Sequence, residues 1–173
     1  MKKLNTILMT AMIGLLGACG SDNNNNFNRF GPNGFGGLAC PGNQNLPLLE
    51  TYTGNLGSGA QFVIELYDLG GSSVSAIGDI YIPSVDQLFG PGLFNGMGNA
   101  QPFASCLNGT NGSIYGRGTN AYRNIDMVLT GQNVTITLGD VGGQIASQLS
   151  GNNIIGEAII QVNGASDIFV LTP

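Results

Sequence analysis

From about Glu50 onward, apolar residues recur at every second position, and this pattern most constrains what the chain can fold into. In one run, Phe62, Ile64 and Leu66 share the same phase. Five further sets show related spacing: Val74/Ala76/Ile80/Ile82 around Gly78, Ile125/Met127/Leu129, Val134/Ile136/Leu138, Ile154/Ala158/Ile160/Val162 and Ile168/Val170. Since successive side chains of a strand point to opposite faces, these runs predict half-buried antiparallel strands.

Dipeptides containing Gly and Asn separate many of these runs. They are Asn108-Gly109, Asn111-Gly112, Gly131-Gln132, Gly151-Asn152 and Asn163-Gly164. Such pairs readily adopt the positive φ angles that tight hairpins require. Strands spaced every 8 to 12 residues are typical of a sandwich or a barrel. We therefore predict an all-β domain of about eight to ten strands. A small antiparallel meander barrel is the first choice and a sandwich is the alternative.

One short helix interrupts the strands. Ser84 and Gln87 have the spacing of a capping box directly after Pro83, and Gly90-Pro91 would end the helix that begins there. The sequence predicts a helix of one or two turns near residues 84–89.

A flexible crossover loop is expected from Gly92 to Gln101. Its apolar residues Leu93, Phe94 and Met97 suit contact with a ligand or partner, or gating of a barrel mouth. The alternative is that the loop folds back over an open end of the barrel.

The N-terminus has the three-part pattern of a secretory signal. Met1-Lys2-Lys3 is basic, Leu4–Leu16 is largely apolar and uncharged, and two small residues follow. A membrane-spanning helix needs about 20 apolar residues, and this run is shorter. We expect the segment to be a signal peptide that is removed.

Leu16-Gly17-Ala18-Cys19 follows the apolar run and resembles the lipobox of bacterial lipoproteins. The resemblance implies that the lipoprotein-processing enzymes cleave between Ala18 and Cys19 and attach two or three fatty acyl chains to Cys19. Two or more chains anchor a protein stably to a membrane. Gly20 stands where an Asp is linked to inner-membrane retention, which implies the outer membrane in a cell with two membranes. The alternative is an ordinary cleaved signal with an incidental cysteine.

The expected organisation is a signal peptide at 1–18, a tether at 19–38 and a β-domain at 39–173. The tether is rich in Asn and Gly, with Asn23–Asn26 consecutive, and it holds too little apolar surface to order itself. A flexible chain of about 20 residues reaches roughly 25 Å. Such a reach would lift the domain clear of the lipid headgroups.

The tether also contains Phe27, Phe30 and Phe35, which are unusual in a pure spacer. These side chains could dock on the β-domain or lie in the membrane interface. We expect docking, because Cys40 would fix the end of the segment.

Cys40 and Cys106 remain as an even pair once Cys19 is assigned to lipid. In an oxidising, exported setting we predict a disulfide between them. It would contribute roughly 3–4.7 kcal/mol on the chain-entropy model. Two buried free thiols are the alternative. Zinc prefers four nitrogen or sulfur ligands, and the chain has no His, so we expect neither a metal nor a cofactor.

Charge excludes several partners. Residues 19–173 contain three Arg, no Lys and ten acidic residues, which gives a formal charge of −7. Nucleic-acid binding depends on phosphate neutralisation by cations, so nucleic acid is not an expected partner. Binding to anionic headgroups by charge is equally disfavoured. Attachment to the membrane would therefore depend on the acyl chains.

The composition also argues against an enzyme. Without His or a Lys in the mature chain, Ser-His-Asp, Cys-His, Ser-Lys and Schiff-base catalysis are excluded. A pair of carboxylates, as in glycosidases, remains as chemistry. However, Glu65 and Glu157 alternate with apolar neighbours, which predicts that both face solvent. We expect no catalytic residues.

Arg117 and Arg123 are the only cations of the predicted β-domain and lie near opposite ends of one hairpin connection. They are candidates to hold a carboxylate or another anionic ligand. The alternative is that they form surface ion pairs with Asp126 or Asp79.

Three functions are compatible with these features. The leading hypothesis is a non-enzymatic envelope or surface lipoprotein that binds another, unknown envelope component. The second is a small carrier whose barrel holds an apolar ligand, which needs a cavity of about 300 Å³ or more. The third is an adhesive or self-assembling subunit, because low charge and high Gly and Asn content favour β-stacking.

Overall fold

The computed structural model describes residues 45–57, 59–90, 102–116 and 122–173. Several sequence predictions concern residues outside these ranges: the signal peptide with Ala18 and Cys19, the tether with Phe27, Phe30 and Phe35, Cys40, Leu93, Phe94, Met97 and Arg117. Within the ranges, no helix has both the length and the apolar character needed to cross a membrane.

The described residues form eleven strands and one short helix. In chain order these are β1 (Leu48–Leu56), β2 (Gln61–Gly70), β3 (Ser73–Ile82), α1 (Val85–Phe89), β4 (Phe103–Tyr115), β5 (Tyr122–Gly131), β6 (Val134–Leu138), β7 (Asp140–Val141), β8 (Gln144–Ile145), β9 (Ser147–Ser150), β10 (Asn153–Val162) and β11 (Ala165–Thr172).

The strands form a ring. Strands β1 to β6 follow one another as an antiparallel meander, β10 and β11 continue it, and β11 returns to β1. This closure is antiparallel and pairs Leu56 with Leu171. The predicted all-β class is confirmed, and of the two predicted architectures the strands adopt the barrel.

Strands β6 and β9 share one position in the ring. The second half of β5 pairs with β6, as in Met127 opposite Leu138. The first half of β5 pairs with β9, as in Arg123 opposite Leu149. Between β6 and β9 the chain leaves the ring and forms the β7–β8 hairpin. The ring therefore has eight strand positions, a size at which side chains just fill the interior.

Alternation places one residue of every two inside the barrel. The inward side chains of β2 are Phe62, Ile64 and Leu66, as the sequence predicts, and all three are fully buried. They join a single core cluster with apolar residues from the other main strands and from α1. Burial of such side chains is the main stabilising contribution in a domain of this kind.

Helix α1 lies at one end of the barrel, here called the α1 end. Ser84 Oγ accepts a 3.2 Å hydrogen bond from the Gln87 backbone N–H, and the helix ends at Gly90, whose φ is 96°. The Ser84 half of the predicted capping box and the end of the helix at Gly90 are confirmed. Val85 is buried, and the ring of Phe89 packs edge-on against Phe169 at 5.3 Å. The helix thus covers apolar side chains that the barrel would otherwise expose at this end.

Three of the predicted turns are confirmed. The dipeptides Gly131-Gln132, Gly151-Asn152 and Asn163-Gly164 lie at connections between consecutive strands. In the last of these, Asn163 and Gly164 have φ angles of 49° and 88°, which suits a tight hairpin.

The turns predicted at Asn108-Gly109 and Asn111-Gly112 are wrong. Both pairs lie inside β4, where the register with β5 shifts between Gly109 and Ser113. Asn111 supplies its positive φ of 60° to this bulge. The two glycines leave room for Met127, because a Cβ at Gly109 would lie 2.9 Å from the Met127 sulfur.

Candidate functional site

Arg123 lies at the end of the barrel opposite α1. Alternation along β5 gives it the same inward phase as Ile125 and Met127, both of which are buried in the core. Its Nη2 donates a 2.5 Å hydrogen bond to the hydroxyl oxygen of Tyr52, a buried residue of β1. The contact joins two strands across the interior, between residues 71 positions apart in the sequence.

Arg123 bonds Tyr52 and not Asp126 or Asp79, with which the sequence predicted an ion pair. Asp126 is three positions along the same strand and therefore has the outward phase. Asp79 is on the outer face of β3, opposite Val63 of β2. Arg123 turns inward and bonds a phenol instead. It is the only Lys, Arg or His among the residues that the structure describes.

Tyr52 does not neutralise this cation. Burial raises the pKa of the Tyr52 hydroxyl above 10.0, and the nearby Glu50 charge acts in the same direction. The positive charge and hydrogen bond of Arg123 oppose the rise without reversing it. At neutral pH the phenol is uncharged, so it does not form an ion pair with the Arg123 guanidinium.

A surface pocket of about 370 Å³ opens beside Arg123. Its lining includes Leu49, Asp68, Ser72, Ser73, Tyr115 and Arg123. The β2–β3 turn and the last residues of β4 form its walls. Asp68 Oδ1 accepts the backbone N–H of Gly70 at 2.7 Å, which engages one carboxylate oxygen in the turn. We call this the Arg123 pocket.

The Arg123 pocket can recognise a small anionic group. The guanidinium has five N–H donors, of which one is directed at Tyr52, and planar carboxylates accept such donors in pairs. Ser72 and Ser73 add hydroxyl groups that can donate to the same ligand. The carboxylate of Asp68 would repel an anion placed close to it, so the favourable position is on the Arg123 side.

A second described pocket, of about 330 Å³, lies at the α1 end. It is lined by turn and strand residues such as Asn133, Gln161 and Asn163, and none of its lining residues is charged. Both pockets open to the surface, whereas the described part of the interior is packed with apolar side chains.

The carboxylates proposed from the sequence differ in their exposure. Among the described residues, no three of the His, Cys, Asp and Glu side chains are arranged to hold a metal ion. Glu157 is exposed, as predicted. The same prediction for Glu65 is wrong, because the outer face of β2 on which it lies is covered and only 8% of its surface is exposed. Glu65 Oε2 accepts a 2.7 Å hydrogen bond from the Tyr67 hydroxyl.

A row of exposed, mostly apolar residues crosses the outer face of β5, β6, β10 and β11. Val128, Thr137, Ile159 and Ile168 are directly paired neighbours on β5, β6, β10 and β11. Val128 is 49% exposed and Ile168 is 53% exposed. We call these four residues the apolar row.

The sequence prediction for β11 was wrong about which of its faces is buried. Ile168 and Val170 were predicted to lie in the buried phase, but both are exposed. Leu171 and the partly buried Phe169 contribute to the core instead. Both phases of β11 are apolar, so alternation alone does not decide which one is buried.

Cys106 lies in β4 on the outer face, opposite Asp79 of β3. Its sulfur is bonded in a disulfide. The chain has two other cysteines, Cys19 and Cys40, and both are outside the described residues. The pairing of Cys106 with Cys40 therefore stays a prediction.

Four of the five predicted contact residues, Leu93, Phe94, Met97 and Arg117, lie outside the described residues. The described residues on either side of Leu93, Phe94 and Met97 lie at the α1 end, since α1 and the start of β4 are there. Those on either side of Arg117 lie at the end of the Arg123 pocket. Of the predicted contact residues, Arg123 is the one that the structure places.

The chain matches no known family model, no curated protein and no solved structure.

Proposed function

We propose that this chain is a lipid-anchored envelope or surface lipoprotein with a non-enzymatic binding or structural role. The observation that carries the anchor is the lipobox-like Leu16-Gly17-Ala18-Cys19 after a basic and apolar signal. Acyl chains on Cys19 would hold the protein in the outer membrane of a cell with two membranes.

The anchor is tested by changing its cysteine. The Cys19→Ala variant, expressed from its own signal, is expected to accumulate as an uncleaved precursor without fatty acid. Cys40→Ser is the matched control, because it removes another cysteine near the same region and should be processed like the wild type. Normal cleavage and membrane release of Cys19→Ala would contradict the proposal.

The binding role is assigned to the Arg123 pocket. The Arg123 guanidinium, held in place by a neutral, buried phenol, suits a carboxylate-bearing component of the envelope. Ion pairs at an exposed site are individually weak, so the affinity should be modest and should fall with salt. A membrane-bound protein tolerates weak affinity because the anchor raises its local concentration near other membrane-bound partners.

A second candidate is a self-assembling subunit, and the apolar row favours it. Three of its four residues are apolar, and two of them are about half exposed. Stacking through an open strand edge is disfavoured, since ring closure pairs the edges. Assembly would instead join the outer faces of two barrels at the apolar row. The test is whether the protein associates reversibly with concentration and whether a charge in the row prevents it.

A further inference from the structure

The outer face of β2 and β3 carries a second buried layer. Val63, Tyr67 and Ile77 are only 6%, 5% and 9% exposed, yet none of them belongs to the core cluster inside the barrel. Glu65 and Ser75 lie among them and are also buried. We call these five residues the covered face.

Strand register shows that the covered face points away from the interior. Glu65 pairs with Ile77 and Tyr67 pairs with Ser75, and these residues alternate with the inward Ile64 and Leu66. On β5 the equivalent outward residue Val128 is half exposed. The low exposure of the covered face is therefore not a general property of this barrel.

Extensive contacts among the described helices and strands do not account for this burial. Within the described part of the chain, the extensive contacts of β2 and β3 are with each other and with their sheet neighbours β1 and β4. Helix α1 contacts β11, on another side of the ring. Six residues on or beside the covered face nevertheless take part in further interactions: Glu65, Tyr67, Ser75, Asp79, Tyr81 and Cys106.

We propose that the chain's own segment before β1, residues 27–44, packs across the covered face. The segment carries Phe27, Phe30 and Phe35, whose rings are suited to cover an apolar surface. It also carries Cys40, the predicted partner of the disulfide-bonded Cys106. The covered face lies between Cys106 and the start of β1.

Chain geometry supports this route. The Asp68 N–H donates to the carbonyl of Pro47, so the chain reaches β1 beside the end of β2. Asp79 of β3 pairs with both Val63 of β2 and Cys106 of β4, so Cys106 and Val63 lie at the same height in the sheet. Val63 is five residues before Asp68 on β2, which corresponds to about 17 Å along the strand. The three strand spacings from β1 to β4 add about 14 Å sideways, which gives a diagonal of about 22 Å.

Residues 40 to 47 are long enough to cover that diagonal. Seven residues span at most about 24 Å, and the two Cα atoms of a disulfide are themselves about 5.5 Å apart. A Cys40–Cys106 bond would therefore route this part of the chain over Tyr67, Glu65 and Ile77. Residues 27–39 would then lie beside Val63 and Tyr81.

Hydrogen exchange with mass spectrometry on the oxidised mature chain tests the proposal. Backbone amides in 27–44 are expected to exchange at least about 100-fold more slowly than in an unstructured peptide, because docking must open first. Ile77→Asp should abolish that protection while β5 and β6 keep theirs. Val128→Asp, an outward residue outside the covered face, should leave the protection of 27–44 unchanged.

Two wild-type results would overturn the proposal. One is exchange of 27–44 at the rate of an unstructured peptide. The other is protection of the covered face that rises with protein concentration, which would assign it to a second copy of the chain. If Ile77→Asp does not fold, the hydrogen exchange of the wild type and the peptide map of its disulfide still test the proposal. A disulfide between Cys106 and Cys19 would contradict the proposed route. The outcome does not depend on lipidation, so it is independent of the proposed function.

Discussion

The guanidinium of Arg123 donates a hydrogen bond to the hydroxyl of Tyr52, and this contact lies at the barrel end opposite α1. Tyr52 is buried, whereas Arg123 is an exposed residue that lines a pocket. The pair therefore links the apolar interior to the surface site. Its properties can be tested through the titration of Tyr52 and through the donors of Arg123.

Stability should decline at high pH because of Tyr52. Burial raises the pKa of the folded Tyr52 above the value of 10.0 that applies to the unfolded chain. Its contribution to stability is fully present below about pH 10 and is lost as pH rises through the folded pKa. The loss occurs because, between the unfolded and the folded pKa, only the unfolded state has released the proton. Urea unfolding of Tyr52→Phe should show a shallower decline above pH 10, and Tyr122→Phe, which alters an exposed tyrosine, should decline like the wild type.

At neutral pH, Tyr52→Phe should lower the free energy of unfolding by about 1 kcal/mol, the usual net contribution of one hydrogen bond. Equal pH profiles for Tyr52→Phe and the wild type would contradict the assigned environment of this residue.

Arg123→Gln should abolish binding of small dicarboxylates such as succinate. The change removes the one described cation of the pocket while keeping a hydrogen-bonding side chain of comparable length. Titration followed by NMR should show saturable shifts around Ser72 and Ser73 in the wild type, weakening with added salt. Tyr122→Phe is the control that should keep binding, because Tyr122 is next to Arg123 in the sequence but does not line the pocket. Identical shifts in Arg123→Gln would remove the pocket from consideration.

Ile168→Glu should prevent any self-association of the protein. The residue is exposed in the centre of the outer face of β11, where a carboxylate costs little in the monomer but would be buried in an assembly. Sedimentation velocity over a range of concentrations measures the effect. Ile145→Glu, at a similarly exposed residue of β8 outside the apolar row, should associate like the wild type. Association that survives Ile168→Glu would exclude the apolar row as the contact.

Gly78→Ala should destabilise the barrel by more than about 2 kcal/mol, because overpacking in a closed sheet has no room to relax. A Cβ at this position would clash with the carbonyl oxygen of Val63 and lie 2.8 Å from Cγ2 of Ile64. Gly57→Ala is the matched control, since a Cβ there meets nothing within 4 Å and the effect should stay within about 0.5 kcal/mol. Chemical denaturation of both variants provides the comparison.

The strands were predictable because one face of each is apolar. The phase of Phe62, Ile64 and Leu66 matches the interior, and the Ser84 cap fixes the start of α1 through a local hydrogen bond. These features depend on residues close together in the sequence. Local pattern is sufficient for them.

The covered face and the bulge in β4 could not be predicted from the sequence alone. Val63 and Tyr67 are as apolar as the inward residues of β2, and alternation alone does not show that a strand is buried on both faces. Asn111-Gly112 has the composition of a hairpin turn, and only the pairing of β4 with β3 and β5 shows that the strand continues through it.

The Tyr52–Arg123 contact likewise had no local signal. The two residues are 71 positions apart, and they meet only because the ring closes. The sequence could single out Arg123 as a rare cation, but not its partner.

The most direct test of the proposed function is the intact mass of the native protein extracted from membranes. We expect a chain that begins at Cys19 and carries the added mass of two or three fatty acyl chains on that residue. A freely soluble chain of unmodified mass, or one cleaved at a different residue and lacking fatty acid, would contradict the lipoprotein assignment.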